Sequence, residues 1–233
     1  MTVQYIFTPP STVALPIVGQ TAQFPVRRVY CVGRNYAEHA KEMGFTGRED
    51  PFFFSKPADA LLPVGLNEVG DMPYPSQTQN LHYEMELVVA LKSGGKDLTV
   101  EQAAHCIYGY AAGLDMTRRD LQGVCKAQGR PWEVGKAFDY SAPIGPIYPA
   151  DQLHDIEHAT ISLKVNNQIK QNSTIASLIW SIPESIAFLS GLFELKAGDL
   201  IFTGTPEGVG AVVKGDVMVG QITGLGDLQV NVI

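Results

Sequence analysis

Two glutamates lie two residues apart in an otherwise apolar stretch of the sequence. Residues 81–91 have the sequence LHYEMELVVAL, which is typical of a β-strand, so Glu84 and Glu86 are expected to point to the same face. Two ionised carboxylates a few ångströms apart repel each other unless a proton or a cation neutralises them. Oxygen ligands suit hard divalent cations. The spacing indicates a metal site, and the alternative is two solvated side chains on an exposed strand face.

A third carboxylate follows a second apolar run. Residues 107–114 form this run, and Asp115 comes directly after it. If both runs are neighbouring strands, Asp115 completes a set of three oxygen ligands.

A histidine and a glutamate are three residues apart in a helix-favouring segment, residues 34–43, which Gly44 ends. His39 and Glu42 therefore share a helix face and can hold a water molecule between imidazole and carboxylate. The alternative is a solvated pair on a surface helix.

A second predicted helix follows Asp115, with Thr117 as its N-cap and its end near Gly129. Arg119 and Gln122 share a face of its first turns and lie close in sequence to the candidate metal site. The alternative for Arg119 is a structural salt bridge.

Two lysines stand among apolar neighbours. Lys136 follows a short segment, residues 132–135, and desolvation near a metal is expected to lower its pKa, so that it can act as an acid or an oxyanion partner. Lys56 ends a predicted strand, residues 52–56, and we interpret it as a solvated strand terminus.

A glycine- and threonine-rich loop, TGTPEGVG at residues 203–210, follows a predicted strand. It lacks the Gly-Lys-Ser/Thr ending of a P-loop, so a nucleotide site is not expected. Its backbone donors and threonine hydroxyls are instead predicted to approach a substrate carboxylate.

The remaining pattern predicts the scaffold. Short strands outnumber helices, which indicates an α+β, mainly β protein with a rolled or sandwiched mixed sheet. Residues 1–26 are proline-rich and predict an extended arm, while residues 27–233 form the main domain.

Composition limits the partners. The formal net charge of −7 and the absence of a basic stripe argue against nucleic acid and anionic membranes as partners.

Cys31, Cys106 and Cys125 lack metal or redox spacing and are predicted to be free thiols. No signal-peptide pattern or membrane-spanning segment is present, so a cytoplasmic protein is expected.

Several ordered motifs across residues 27–233 together resemble the fumarylacetoacetate hydrolase family. They are GRNYAEH at 33–39, EME at 84–86, LDMTRRD at 114–120, Lys136, and TGTPEGVG at 203–210.

The resemblance implies the family's β-roll with flanking short helices, usually as a homodimer. It implies Mg²⁺ or Mn²⁺ bound by Glu84, Glu86 and Asp115. It assigns His39 and Glu42 to activation of water and Lys136 to the oxyanion. The substrate-binding residues that it implies are Arg34, Arg119, Gln122 and Thr205.

The resemblance also implies hydrolysis of a C–C bond in a β-diketo acid. The leading arm is most similar to members that cleave fumarylpyruvate in aromatic-acid catabolism. The alternatives are a general acylpyruvate hydrolase, an oxaloacetate decarboxylase of the same family, or a metal-binding scaffold without catalysis. A dianionic substrate needs a local cation for its far carboxylate, and the candidates are Arg48, Arg118 and Arg130.

Overall fold

The computed structural model describes residues 3–38 and 48–233. The strands in chain order are β1 (Ala14–Pro16), β2 (Gln23–Pro25), β3 (Val29–Gly33), β4 (Phe52–Lys56), β5 (Leu61–Pro63), β6 (Val69–Met72), β7 (Leu81–Tyr83), β8 (Met85–Leu91), β9 (Ile107–Leu114), β10 (Thr117–Arg118), β11 (Ala142–Ile144), β12 (Tyr148–Pro149), β13 (Thr160–Val165), β14 (Gln168–Thr174), β15 (Leu200–Phe202), β16 (Gly210–Val212), β17 (Val217–Ile222) and β18 (Leu228–Val232). The α-helices in the described residues are α1 (Val100–His105), α2 (Arg119–Ala127), α3 (Glu133–Lys136) and α4 (Ile182–Leu192).

The largest sheet has the order β4-β3-β15-β8-β9-β11-β5, with β12 paired to β9. A second sheet has the order β14-β13-β17-β18-β6, and a small sheet joins β10, β7 and β16. Helices are few and short, and the sheets curl into a half-barrel. The predicted fold class, a mainly β roll of mixed sheets with short flanking helices, is confirmed.

The central strand β8 is buried on both faces. Leu87 and Val89 belong to the main core, whereas Val88 and Ala90 belong to a second apolar cluster on the opposite face. This explains why the run is continuously apolar instead of alternating with polar residues. Glu86 has the same strand parity as Val88, so its carboxylate projects from a strand with no exposed face.

Local signals for helices and turns agree with the structure. Thr99 and Ser181 each form a capping box at the start of α1 and α4. Asn166 and Asn167 connect β13 to β14 with φ values of 50° and 62°, as a type I′ turn requires.

The predicted N-cap at Thr117 is wrong. Helix α2 begins at Arg119, and Thr117 lies in β10, paired with His82 of β7. The Thr117 hydroxyl donates a hydrogen bond to Glu84 Oε1 at 3.1 Å, so it is used for the site and not for the helix end.

The segment that precedes the main domain forms a hairpin in which β1 pairs with β2. Leu15 and Phe24 of this hairpin are buried in the second apolar cluster, whereas Ile6 and Phe7 are exposed. The boundary at residue 26 stays a prediction. The three cysteines are free, as expected, and all three are buried. No helix in the described ranges has the length and apolar character needed to cross a bilayer.

Candidate active site

The antiparallel register of two strands places two of the acidic residues opposite each other. Met85 of β8 pairs with Leu114 of β9, so the next residues outward, Glu84 and Asp115, meet where the ladder ends. The Asp115 N–H donates to the Glu84 carbonyl at 2.8 Å. The sequence-based expectation of one continuous strand differs from the structure here, because Glu84 lies in a break between β7 and β8.

The three carboxylates form one cluster. One oxygen each from Glu84, Glu86 and Asp115 lies within 4.8 Å of the other two, and all three residues are buried. Such oxygen donors are the ligands that hard divalent cations prefer.

In the part of the chain that the structure describes, three cationic side chains contact this acidic triad. Lys136 Nζ lies 2.7 Å from Glu84 Oε2 and 2.6 Å from Asp115 Oδ2. Lys56 Nζ lies 2.8 Å from Asp115 Oδ1. Arg119 forms an ion pair with Glu84. Among the described residues Glu86 has no ion pair, and its Oε2 accepts a hydrogen bond from the Gly204 N–H at 2.8 Å.

Lys56 is not a solvated strand terminus, so that interpretation is wrong. Its side chain is fully buried, and its ammonium donates to Ser141 Oγ at 3.0 Å and to the carbonyl of Lys136. Within the described residues Asp115 Oδ1 accepts no hydrogen bond, so its contact with Lys56 is an ion pair only. Lys56 therefore connects a metal-ligand candidate to the backbone of the second lysine. Strand pattern alone did not indicate this, because the partners are at least 59 positions away along the chain.

Glu86 differs from the other two carboxylates of the triad in its electrostatic environment. Burial raises the pKa of Glu86 well above its ordinary value, the Asp115 and Glu84 carboxylates raise it further, and the Gly204 N–H only partly offsets this. A carboxylate in this position needs either a proton or a positive charge nearby. The buried oxygen cluster with one member outside the ion pairs therefore fits a divalent cation.

Lys136 remains an ammonium group, which differs from the expected lowered pKa. Burial lowers the pKa of Lys136, but the Asp115 and Glu84 carboxylates outweigh it, so the pKa is raised. The group therefore acts as a fixed positive charge and hydrogen-bond donor.

Arg119 and Gln122 do share one helix face, as their spacing predicts. Arg119 Nη1 donates to Gln122 Oε1 at 2.7 Å, which leaves the Gln122 amide N–H groups for another partner. Arg119 Nε donates to His82 Nδ1 at 3.4 Å. Burial and the Arg119 charge lower the pKa of His82 to about 4, so His82 is neutral near pH 7 and can accept this bond. Sequence analysis did not identify His82.

The loop at residues 203–210 supports the triad more than it offers donors to a substrate. The Thr205 hydroxyl donates to the Met85 carbonyl at 2.8 Å and accepts from Gln171 Nε2 at 2.9 Å. The Gly204 N–H is used by Glu86. Thr205 still lies in the wall of the site, but its hydroxyl proton is already bonded to the main chain of β8.

A cleft that is open at its mouth lies over the acidic triad. The predicted site residues that line it are Arg34, Glu84, Glu86, Asp115, Arg119, Gln122, Lys136 and Thr205. His39 and Glu42 lie outside the described residues, so their predicted role in activating water stays a prediction.

Aromatic rings form part of the cleft wall. Phe52, Phe54 and Trp132 line it, with the Phe52 and Trp132 ring centres 5.4 Å apart in an edge-to-face arrangement. The Arg34 guanidinium lies 4.7 Å from the centre of the Phe52 ring. The wall of the cleft therefore combines apolar rings with a few cationic groups.

Comparison with known proteins places this geometry in context. The family model described as fumarylacetoacetate (FAA) hydrolase, C-terminal, matches residues 28–233. A crystal structure of fumarylpyruvate hydrolase from Pseudomonas aeruginosa with Mn²⁺ and pyruvate has a TM-score of 0.97 and 58% identity, and covers 99% of both chains.

Two curated relatives differ in activity. Fumarylpyruvate hydrolase of Ralstonia sp is 46% identical over 79% of this chain and 93% of its own length. The mitochondrial oxaloacetate decarboxylase of Dictyostelium discoideum is 39% identical over 89% of this chain and 94% of its own length.

Proposed function

Because this chain belongs to the fumarylacetoacetate hydrolase family, we propose that it is a metal-dependent hydrolase that cleaves the C–C bond of fumarylpyruvate to give fumarate and pyruvate. The observation that carries this proposal is the cleft in which three buried carboxylates meet Lys136, Arg119 and Gln122. The 58% identity to a fumarylpyruvate hydrolase over 99% of both chains supports the choice of substrate.

The charges of the cleft are consistent with an anionic substrate. The three carboxylates of the triad are matched by three cations among the described residues, Lys56, Lys136 and Arg119, so these six charges cancel. A divalent cation adds two positive charges, and a dianionic acid brings two negative charges. Joint binding of the two therefore keeps the buried charges of the triad balanced, which limits the cost of burial, and Arg34 and Lys126, which also line the cleft, add positive charge that favours an anion.

Glu84, Glu86 and Asp115 would hold the cation, which is Mg²⁺ or Mn²⁺ in this proposal. When bound, the ion would supply a Lewis acid that stabilises the negative charge developing on the pyruvate portion as the C–C bond breaks.

The residues of the chain position the substrate and balance charge. Gln122 offers its amide N–H groups, and Arg119 holds that amide in place. Lys136 keeps a positive charge in the cleft and is placed to stabilise the oxyanion that forms when water attacks the distal carbonyl. In this proposal His39 takes the proton from that water, and Glu42 orients the imidazole.

Other parts of the proposal concern the setting. We also propose that the protein is a homodimer, that it acts in aromatic-acid catabolism and that it is located in the cytoplasm. The exposed apolar side chains Val3, Tyr5, Ile6 and Phe7 support association with another copy, because such a patch is seldom left in water. Light scattering of the purified protein measures its molar mass and so distinguishes a monomer from a dimer.

A product assay tests the activity. Purified protein with Mn²⁺ or Mg²⁺ is incubated with fumarylpyruvate, acetylpyruvate and oxaloacetate, and fumarate, pyruvate and carbon dioxide are measured. We expect the highest kcat/KM with fumarylpyruvate, and loss of turnover with EDTA. The variant Lys136→Met should lower kcat by roughly 10²- to 10³-fold.

A second candidate is decarboxylation of oxaloacetate, which the similarity to the Dictyostelium decarboxylase favours. It uses the same acidic triad but does not require attack by water. Carbon dioxide release that exceeds diketo-acid cleavage, and that persists in His39→Ala, would establish this activity in place of the hydrolase.

A further inference from the structure

One face of helix α2 runs along the cleft. Arg119, Gln122 and Lys126 all line the cleft, and their spacings of three and four residues place them on one side of the helix. Arg119 contacts the acidic triad, Gln122 is buried and Lys126 is exposed. This face therefore extends from the triad to the mouth of the cleft.

The length of this face matches that of a diketo dicarboxylic acid. Lys126 lies seven positions after Arg119, which corresponds to about 10 Å along the helix axis. The two carboxylates of extended fumarylpyruvate are roughly 7–8 Å apart, since each bond advances the chain by about 1.3 Å. A lysine side chain reaches about 6 Å from its Cα. With one carboxylate at the triad, the other lies within reach of the Lys126 ammonium.

The inner lysines do not reach that end. Lys136 and Lys56 are buried and ion-paired with Asp115, so their charges belong to the triad. The far carboxylate needs a cation farther out.

The arginines predicted from the sequence lie elsewhere. Arg48 pairs with Glu184 at 2.7 Å and lies over Trp180. Arg118 donates to the Val134 carbonyl at 3.2 Å. Arg48, Arg118 and Arg130 are absent from the described lining of the cleft.

Arg34 also lines the cleft, with its guanidinium stacked on Phe52. It approaches from the end of β3, and Glu49 lies 3.9 Å from it. Lys126 instead continues the polar face that begins at the triad. The aromatic residues that line the cleft, Phe52, Phe54 and Trp132, carry no cationic group, and a cation binds a carboxylate more strongly than a neutral donor does.

We propose that Lys126 binds the distal carboxylate of the substrate and determines the preference for dianionic over monoanionic acyl chains. This inference rests on the proposed function, because it assumes that a keto acid binds with its other end at the triad.

Binding without turnover tests the inference separately from the activity. Calorimetry with Mn²⁺-loaded protein compares 2-oxoheptanedioate, a dianion, with 2-oxoheptanoate, a monoanion of the same length. The variant Lys126→Met should bind the dianion roughly 10-fold more weakly and the monoanion within about twofold of wild type. Lys126→Arg should keep the preference.

Arg130→Met is the matched control, since it removes a positive charge three residues after α2 but outside the cleft. It should bind both acids like wild type. In steady-state assays, Lys126→Met should raise KM for fumarylpyruvate and leave KM for acetylpyruvate unchanged.

Three results overturn the inference. They are an unchanged dianion preference in Lys126→Met, an equal loss for both acids, or a matching loss in Arg130→Met. If wild type shows the Lys126-dependent binding preference but cleaves neither diketo acid, the proposed function fails and the recognition role of Lys126 stands.

Discussion

Replacement of Lys56 by methionine should destabilise the protein strongly, because it removes a buried charge and keeps the side-chain volume. The ammonium of Lys56 lies 2.8 Å from Asp115 Oδ1 and bonds to Ser141 Oγ at 3.0 Å, with no exposed side-chain surface. Without it, a buried carboxylate oxygen loses its positively charged partner.

The expected size follows from what remains around Asp115. Breaking a buried ion pair by removing one partner costs about 3–5 kcal/mol. Lys136 still pairs with Asp115 Oδ2 at 2.6 Å, so the lower end, about 3 kcal/mol, applies to Lys56→Met. For a chain of this size that corresponds to a fall in Tm of about 6–12 °C.

Urea unfolding in EDTA measures the free energy of unfolding of wild type and Lys56→Met. Repeating it with Mn²⁺ should recover part of the loss, because a bound cation stabilises the folded state and supplies positive charge next to Asp115. Lys92→Met is the control, since Lys92 is exposed directly after β8 and its replacement should change stability by less than about 0.5 kcal/mol. A loss below about 1 kcal/mol for Lys56→Met would refute the reasoning.

Three further predictions concern other titratable groups. Glu86→Gln should weaken Mn²⁺ binding by at least roughly 10- to 100-fold, measured by calorimetry. Without metal, the free energy of unfolding of Glu86→Gln should equal or exceed that of wild type, because burial and the neighbouring carboxylates disfavour the charged form of Glu86. Full metal affinity in this variant would contradict the role of Glu86 as a ligand. His39→Ala and Glu42→Ala should act on one step, so the double variant should lose little more turnover than the worse single variant. Multiplicative losses in kcat would indicate independent roles. Partial burial raises the pKa of Asp120, but hydrogen bonds from a threonine hydroxyl and backbone N–H groups outweigh it and hold the pKa below its usual value. The ionised group therefore contributes stability above its unfolded pKa that is lost as pH falls through the folded pKa. Asp120→Asn should cost about 1 kcal/mol at pH 7, and in urea titrations this cost should shrink as the pH is lowered through the folded pKa.

Much of the scaffold could be predicted from local patterns in the sequence. The apolar runs of β8 and β9, the capping boxes at Thr99 and Ser181, and the Asn166–Asn167 turn each depend on residues within a few positions of one another. Such short-range preferences are a property of the chain itself. The candidate carboxylates were also visible, because charged residues inside an apolar run need a partner.

The tertiary structure alone decided how the charges are arranged. The sequence did not indicate that Lys56 pairs with Asp115, that Thr117 bonds to Glu84, or that Lys126 rather than Arg48 lines the cleft. The first two contacts join segments that are far apart in the chain. The placement of Lys126 depends instead on the direction that α2 takes across the sheet. Local propensity carries no information about such approaches, because strand register and helix packing bring the partners together only when the whole roll has formed.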